Sequence, residues 1–187
     1  MSNTRVRRCA ALAAVAATAT LLLTACGDEA SDHNAQDVSF AQGMIPHHRQ
    51  AVEMADLAAD RASSAEVKDL AARIEKAQDP EIEKMTGWLK SWDEKATSTG
   101  GGMEGMDHSG MSSDMSADMG KLEKASGEAF DSEFLTMMIE HHESAVTMAG
   151  TERDKGEDKA AKAMADDIVT GQSAEIAEMR KLLGSKG

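Results

Sequence analysis

The sequence predicts an all-α protein, a four-helix bundle assembled from two copies of one helical hairpin. One observation is the composition: Ala, Glu, Lys, Met and Leu dominate and are strong helix formers, whereas aromatic residues make up only 3% and Tyr is absent. The other is an internal repeat. The segment FAQGMIPHHRQAVEMA, which begins at Phe40, returns as FLTMMIEHHESAVTMA, which begins at Phe134. A long repeat that preserves apolar spacing indicates that a whole structural unit was duplicated.

The repeat continues without a gap from residues 37–89 to residues 131–183. The matched pairs outside the histidine motif are Asp37/Asp131, Ala71/Ala165, Ile74/Ile168, Gln78/Gln172, Glu81/Glu175, Ile82/Ile176, Met85/Met179 and Leu89/Leu183. Each copy forms a helical hairpin that cannot bury its own apolar stripe, and two hairpins together make a four-helix bundle.

The first helix is predicted over about residues 37–60, with Asp37 as its N-cap. Pro46 lacks a backbone N–H and should loosen the first turns of this helix. One helical face carries apolar residues and one histidine at the spacing i, i+4, i+7, i+11 and i+15. These residues are Phe40, Met44, His47, Ala51 and Ala55.

The second helix is predicted to open with a capping box, Ser63-Ser64-Ala65-Glu66, and to end near Trp92. Pro80 falls inside it and should kink or break it. The third helix is predicted from about residue 131, or slightly earlier, to 150, and the fourth over about 158–183, where Gly184 can end it. The predicted stripe of the second helix is Val67, Leu70, Ile74, Ala77, Met85 and Leu89.

The domain organisation follows from these elements. The bundle is predicted over residues 37–184, with hairpins at 37–92 and 127–184 and a linker at 93–126. Residues 97–120 of the linker are rich in Gly, Ser, Asp and Met without apolar periodicity, which predicts a flexible crossover.

The first 25 residues are predicted to be a signal peptide. Basic residues precede an apolar run at 10–23 that is too short to span a membrane comfortably. The run ends in Leu-Thr-Ala-Cys at 23–26, which resembles a bacterial lipobox and implies lipidation of Cys26, followed by a tether to residue 36. The protein is then expected to be lipid-anchored on the extracytoplasmic face of the cell membrane. An ordinary secretory signal is the alternative.

The net charge argues against several classes of function. It is −13, and it becomes −16 once the three arginines of the signal peptide leave, because no acidic residue leaves with them. Such a chain is unsuited to nucleic acid or to anionic lipid surfaces, but it attracts cations. The sequence has no Ser-His-Asp set, phosphate loop or Cys nucleophile pattern, so we expect a non-enzyme.

Four of the six histidines form two His-His pairs, each framed by methionines. Imidazole and thioether groups together favour copper. A hydrogen-bonded core histidine is the structural alternative, but it accounts poorly for a pair repeated in the same setting. The predicted metal ligands are Met44, His47, His48, Met54, Met138, His141, His142 and Met148.

The linker carries a second candidate metal site. Methionines in a flexible segment gain nothing from packing, and residues 106–111 (MDHSGM) resemble the Met/His motifs of extracytoplasmic copper-resistance proteins. Buffering of oxidation by methionine is the alternative. The candidate ligands are Met103, Met106, His108, Met111, Met115 and Met119.

The ligand types discriminate between metals. Di-iron bundles use Glu-x-x-His motifs, and no Glu stands three residues before any of the paired histidines. The nearest carboxylates in the sequence are Glu53, Glu140 and Glu143. Zinc has no use for methionine. Cu(I) therefore fits best, with Cu(II) possible on the imidazoles.

The two motifs, MIPHHRQAVEMA and MIEHHESAVTMA, resemble the signature of the bacterial family catalogued as domain of unknown function 305. The resemblance covers residues 37–183, and its pattern is long and present twice. It implies a ferritin-like fold, a role in copper binding or tolerance, and the same eight motif ligands. One departure is internal, since Pro46 in the first copy corresponds to Glu140 in the second, and it predicts that the two sites differ in geometry or affinity.

The predicted function is that of an extracytoplasmic lipoprotein that sequesters copper or transfers it to a copper-handling partner protein in metal homeostasis. Two alternatives stay open. One is a ferritin-like metal oxidase that needs Glu140 or Glu143. The other is a metal-free envelope interaction protein whose histidines are structural or sense pH.

Overall fold

The computed structural model describes residues 32–96 and 119–184, and it folds them into a bundle of four long helices. The helices are α1 (Ala35–Arg61), α2 (Ala65–Ser91), α3 (Gly127–Lys155) and α4 (Lys159–Gly184). The predicted all-α bundle is confirmed. The signal peptide, Cys26, tether residues 27–31 and linker residues 97–118 lie outside the described residues.

Among the helices that the structure describes, none combines the length and the apolar character needed to cross a membrane.

Helix α1 begins two residues earlier than predicted, because its N-cap is Asn34. The Asn34 side chain accepts hydrogen bonds from the backbone N–H groups of Gln36 (2.7 Å) and Asp37 (3.2 Å). The Asp37 carboxylate in turn accepts the backbone N–H of Asn34 at 2.6 Å, which completes a capping box. The prediction of Asp37 as N-cap is therefore wrong, and its carboxylate both completes this capping box and contacts the turn between α3 and α4.

The capping box predicted for α2 does not form, and the N-cap lies one residue later than predicted. Ser64 is the N-cap, and its hydroxyl accepts the backbone N–H of Val67 at 3.3 Å, while Ser63 binds a residue of the other repeat. The helix then runs unbroken through Pro80, as α1 does through Pro46. A proline removes only one hydrogen bond donor, and the packing of the surrounding turns preserves the helix.

The buried face of α2 differs from the predicted stripe at one point. Ala77 is exposed, and Gln78 is buried in its place at 3% exposure. The equivalent Gln172 of α4 is also buried. The apolar stripe is therefore interrupted by an amide at the same level in both repeats.

The two repeats hold each other through reciprocal acidic contacts. Asp37 accepts the backbone N–H groups at residues 157–158, in the turn between α3 and α4. Asp131 accepts the backbone N–H groups at residues 63–64, in the turn between α1 and α2, and the hydroxyl of Ser63. These turns are equivalent in the repeat, so a pseudo-two-fold axis relates the hairpins. Helices α1 and α3 pack against each other and run antiparallel.

The end of the predicted linker belongs to the folded bundle. Residues 119–122 form a helical turn, Leu122 is fully buried, and Met119 packs against the apolar core. The prediction that the flexible crossover extends to residue 120 is wrong at this end, because Leu122 and its neighbours gain apolar burial. Met119 is therefore placed on the core, whereas the other predicted linker ligands lie outside the described residues.

Candidate metal centre

A polar layer crosses the middle of the bundle and divides the apolar core into two clusters. On α1, Phe40–Ile45 belong to one cluster and Ala51–Ala58 to the other, with His47 and His48 between them. A buried polar layer in an apolar core costs stability unless its groups are satisfied, which marks it as a candidate functional site. Its members are His47, His48, Gln78, Glu81, His141, His142, Gln172 and Glu175.

The first histidines of the two motifs meet at the centre of this layer. The ring centroids of His47 and His141 lie 3.7 Å apart, with an interplanar angle of 37°. This contact follows from the antiparallel packing of α1 against α3. The two motifs, which the sequence predicts as two sites, therefore converge on one location.

The second histidine of each motif is held by a glutamate from the partner helix of its own hairpin. His48 Nε2 lies 2.7 Å from Glu81 Oε2, and His142 Nε2 lies 2.7 Å from Glu175 Oε2. A carboxylate accepts hydrogen bonds, so the ring proton of each histidine is assigned to Nε2. The Nδ1 lone pairs are then free, and both Nδ1 atoms are buried without a hydrogen-bond partner among the described residues.

The carboxylates that contact the histidines are these two glutamates, and not the three that the sequence places nearest the site. Glu53, Glu140 and Glu143 are all exposed, and Glu143 pairs with Arg180 on α4. Residues adjacent to a histidine in sequence point away from it on a helix, whereas the carboxylates that reach the histidines come from α2 and α4. The only sign of these glutamates in the sequence is that Glu81 and Glu175 occupy matched positions of the repeat.

The environment keeps His141 neutral. Burial lowers the pKa of His141 well below its ordinary value of 6.5, and the other three histidines lower it further. The His47 backbone only weakly opposes this effect. Within the described chain, neither ring nitrogen of His141 makes a hydrogen bond of normal geometry. A neutral imidazole with an unused lone pair is the form that binds a metal.

The predicted methionine ligands lie on both sides of the histidine layer. Met44 and Met148 belong to the cluster on one side, and Met54 and Met138 to the cluster on the other. Three of them are fully buried, and Met148 is partly buried. Each side thus receives one thioether from each repeat. The methionines of the two motifs thus flank the histidine layer together.

Close helix contact brings Met148 to α1. A Cβ atom built at Gly43 would lie 3.0 Å from Met148 Cε. Gly43 corresponds to Met137 in the second repeat, so the two repeats carry different side chains at this position. The two halves of the centre differ here as well as at Pro46 and Glu140.

The nitrogen and oxygen donors alone do not enclose an ion. Across residues 32–96 and 119–184, no group of three or more His, Cys, Asp or Glu side chains is placed to hold a metal. A closed tetrahedral site of the kind that Zn²⁺ prefers is therefore not formed by these donors. The remaining donors are the thioethers, which select soft ions such as Cu(I). The linker ligands Met103, Met106, His108, Met111 and Met115 lie outside the described residues.

Comparison with known proteins places the fold and the motifs in a family. The family model DUF305, described as a domain of unknown function, matches residues 37–183. The chain belongs to the DUF305 family. This confirms the resemblance given by the two His-His motifs. No curated protein matches the chain.

Solved structures of DUF305 proteins share the fold. A predicted secreted DUF305 protein from Streptomyces coelicolor is 32% identical, with a TM-score of 0.71, over 81% of this chain and 94% of that chain. CopM in its Cu(I)-bound form is 33% identical, with a TM-score of 0.66, over 80% of this chain and 96% of that chain. CopM in its Cu(II)-bound form is 34% identical, with a TM-score of 0.66, over 81% and 97%.

Proposed function

We propose that this DUF305 protein binds copper, chiefly as Cu(I), and sequesters it or passes it on outside the cytoplasm. The observation that carries the proposal is the buried layer of four histidines between thioethers. Two of these histidines are oriented by glutamates so that Nδ1 is unused. The copper-bound forms of CopM, a relative of similar fold, support the choice of metal.

The energetics favour a binding role for this layer over a purely structural one. A buried nitrogen acceptor without a partner costs about 1–3 kcal/mol. His48 and His142 each leave Nδ1 in that state, and the neutral ring of His141 leaves one donor and one acceptor without a hydrogen bond of normal geometry. A core that only needed to be filled would be more stable with apolar side chains at these positions. Metal binding is the function that uses the lone pairs.

The centre is shared by the two repeats. His47 and His141 come from different motifs and their rings are in contact, and the thioethers on each side also come from both motifs. Copper held here would be bound by side chains of α1 and α3 together, while Glu81 and Glu175 hold the outer imidazoles from α2 and α4. A hydrogen bond from the other ring nitrogen to a carboxylate fixes the tautomer and the orientation of a metal-binding histidine.

The oxidase alternative, as the sequence framed it, depends on two glutamates of α3. The carboxylates that it requires, Glu140 and Glu143, are exposed on the outer face of α3. We therefore propose a store or carrier of copper without catalytic turnover. The metal-free alternative is tested by titration of the protein with Cu(I).

The location proposed for the protein is the extracytoplasmic face of the cell membrane, with a lipid anchor at Cys26. The lipobox-like sequence supports the anchor, and the secreted relative supports the location. The methionines of residues 97–118 would act as a capture arm in rapid exchange, delivering copper to the bundle or to a partner protein.

The test is an anaerobic competition titration of the protein from Gly27 onward with Cu(I), against a chromophoric chelator. Zn(II) and Fe(II) are run in parallel. We expect tight, saturable Cu(I) binding and weak responses to the other two ions. Binding no stronger than that of a scrambled peptide of the same methionine content would reject the proposal in favour of the metal-free interaction protein.

A further inference from the structure

Two carboxyl groups are buried together at one end of the bundle, away from the histidine layer. Asp37, in the first turn of α1, and Glu152, in the last turn of α3, are both fully buried. Neither carboxyl oxygen of Glu152 makes a hydrogen bond of normal geometry in the described part of the chain, and its side-chain interactions are with Asp37 and Gln36. A buried carboxylate in that state is costly, so this group requires an explanation.

The turn between α3 and α4 encloses this pair tightly. A Cβ atom at Gly156 would lie 2.2 Å from Glu152 Oε1 and 2.7 Å from Asp37 Oδ1. The φ of Gly156 is −69°, an ordinary value for any residue, so space rather than backbone conformation requires glycine here. The main chain is pressed against both carboxyl groups, and Glu152 cannot swing into solvent on this side.

The equivalent position in the other repeat, at Asp131, shows what Glu152 replaces. Asp131 accepts two backbone N–H groups and, at 2.7 Å, the hydroxyl of Ser63. In the other repeat Ser63 is replaced by Glu157, which offers Asp37 only its backbone N–H. Glu152 stands where the first repeat has Ala58. Glu152 can supply the missing O–H donor to Asp37, but only as a neutral acid.

The charges around the pair favour a proton on Glu152 and not on Asp37. Burial would raise the pKa of Asp37, but hydrogen bonds from Glu152 and from nearby backbone N–H groups outweigh it and lower the pKa. Burial and the hydrogen bond and charge of Asp37 raise the pKa of Glu152 to about 8. The Gln36 amide and Lys162 oppose this rise.

The remaining charged groups nearby belong to the turn and to α4. Glu157 and Asp158 face Asp37 through their backbone N–H groups, and the Lys162 ammonium donates to the Gly156 carbonyl at 3.0 Å. Lys162 is thus the nearby cation, and it is engaged by the same turn.

We propose that Asp37 and Glu152 form a proton-binding clamp that fastens the α3–α4 turn to the start of α1 while Glu152 is protonated. Loss of the proton leaves two buried negative charges in contact. Their repulsion and the desolvation of the second carboxylate push Glu152 away from Asp37, and the tightly packed turn at 156–158 must open. The clamp is independent of the copper proposal.

The direction of the pH dependence follows from linkage. The folded protein binds the Glu152 proton more tightly than the unfolded chain does, because the pKa is about 8 in the fold and 4.5 ordinarily. The stabilisation provided by the Glu152 proton is complete below pH 4.5 and is lost as the pH rises through about 8. His141, whose folded pKa is lowered, contributes in the opposite direction below pH 6.5. A comparison with a Glu152 variant from pH 6.5 to 9 therefore reports on this proton with little contribution from His141.

The test compares the mature protein with Glu152→Gln, which keeps a neutral hydrogen-bond donor of nearly the same shape. Unfolding by urea is measured from pH 6.5 to 9. We expect the folding equilibrium constant of the parent to fall about tenfold per pH unit relative to the variant up to pH 8, and then to level. Amide exchange at residues 157–158, corrected for intrinsic rates, should accelerate with pH in the parent alone. Parallel profiles in both proteins would overturn the proposal.

A second measurement does not depend on any variant. The infrared C=O band of a protonated carboxylic acid should persist in the parent at pH 7 and titrate near pH 8. Complete ionisation of all carboxyl groups by pH 6 would also overturn the proposal.

Discussion

At the scale of single residues, the two glutamates of the polar layer are the least obvious part of the candidate centre. Glu81 and Glu175 each accept a hydrogen bond from Nε2 of a histidine. Their effect on copper is indirect, because they fix which nitrogen presents a lone pair. Loss of such a contact from a metal-binding histidine lowers affinity about 10–100-fold.

The double substitution Glu81→Gln and Glu175→Gln should therefore weaken Cu(I) binding by about 10–100-fold while the helix content stays unchanged. An amide can donate to Nε2, so the opposite tautomer becomes populated and Nδ1 is protonated. Chelator competition measures the affinity, and circular dichroism measures the fold. The matched control is Glu83→Gln, an exposed residue of α2. Equal loss in the control would show that the effect is not local.

The thioethers are tested by Met44→Leu combined with Met138→Leu. Leucine has a similar volume, so stability should change by less than about 1.5 kcal/mol. Cu(I) affinity should fall, and Cu(II) affinity should fall less, because thioethers prefer Cu(I). The matched control is Met85→Leu with Met179→Leu, two buried methionines that are repeat partners away from the layer. An unchanged Cu(I) affinity in the first variant would remove these methionines from the ligand set.

The residues of the motif were accessible to sequence analysis, and their partners were not. A repeated His-His pair in a methionine setting singles out His47, His48, His141 and His142 directly. Glu81 and Glu175 lie 33 residues further along, on another helix. Only the hairpin packing brings them to the rings. The repeat marked them as matched positions without indicating what they contact.

At the scale of the helices, the reciprocal contacts of Asp37 and Asp131 explain how two hairpins become one bundle. Each carboxylate closes the turn of the opposite hairpin by accepting its backbone N–H groups. These N–H groups lie at the starts of α2 and α4, where a helix leaves donors unsatisfied. A negative charge also interacts favourably with a helix N-terminus.

Asp131→Ala should therefore lower the free energy of unfolding by roughly 2–4 kcal/mol, because three donors at residues 63–64 lose their acceptor. Urea unfolding, with an unchanged dependence on denaturant, measures this loss. Asp69→Ala removes an exposed carboxylate that pairs with Arg73 and should cost less than about 1 kcal/mol. Equal costs for the two substitutions would refute the clamping role of Asp131.

Helix positions were predictable to within about five residues, the largest error being at α3, which continues to Lys155 and not only to residue 150. The details at the helix ends were not predictable. Asn34, not Asp37, caps α1, and Ser64, not Ser63, caps α2. In both cases the expected cap is used for a contact with the other repeat. Local sequence rules cannot see such a contact, so competition from tertiary structure decided the boundary. The unbroken course of α2 through Pro80 has the same origin.

At the scale of the whole molecule, the repeat predicted two hairpins but not their relative orientation. The antiparallel packing of α1 against α3 brings His47 against His141, and this contact is the basis of the single shared centre that we propose. A tandem repeat is equally compatible with separated sites. Only the three-dimensional arrangement distinguishes a shared centre from two independent ones.

Deletion of residues 100–118 should reduce the number of Cu(I) ions bound and leave the bundle folded. The helical turn at 119–122 must be kept, because Leu122 is fully buried and its loss would expose the core. Copper content after equilibrium dialysis measures the stoichiometry, and thermal unfolding measures the fold. A bundle that fails to fold, or an unchanged copper content, would contradict the separate role assigned to this segment.

The central claim is that both repeats build one copper centre, and the most direct measurement is Cu(I) stoichiometry after damage to one motif. The protein lacking residues 100–118 is titrated anaerobically with and without the substitution of His141 and His142 by Ala, after circular dichroism has shown that the variant is folded. A shared centre predicts that tight binding is lost altogether, although His47 and His48 are intact. Retention of half the tight sites at the parental affinity would contradict the shared centre and restore two independent sites.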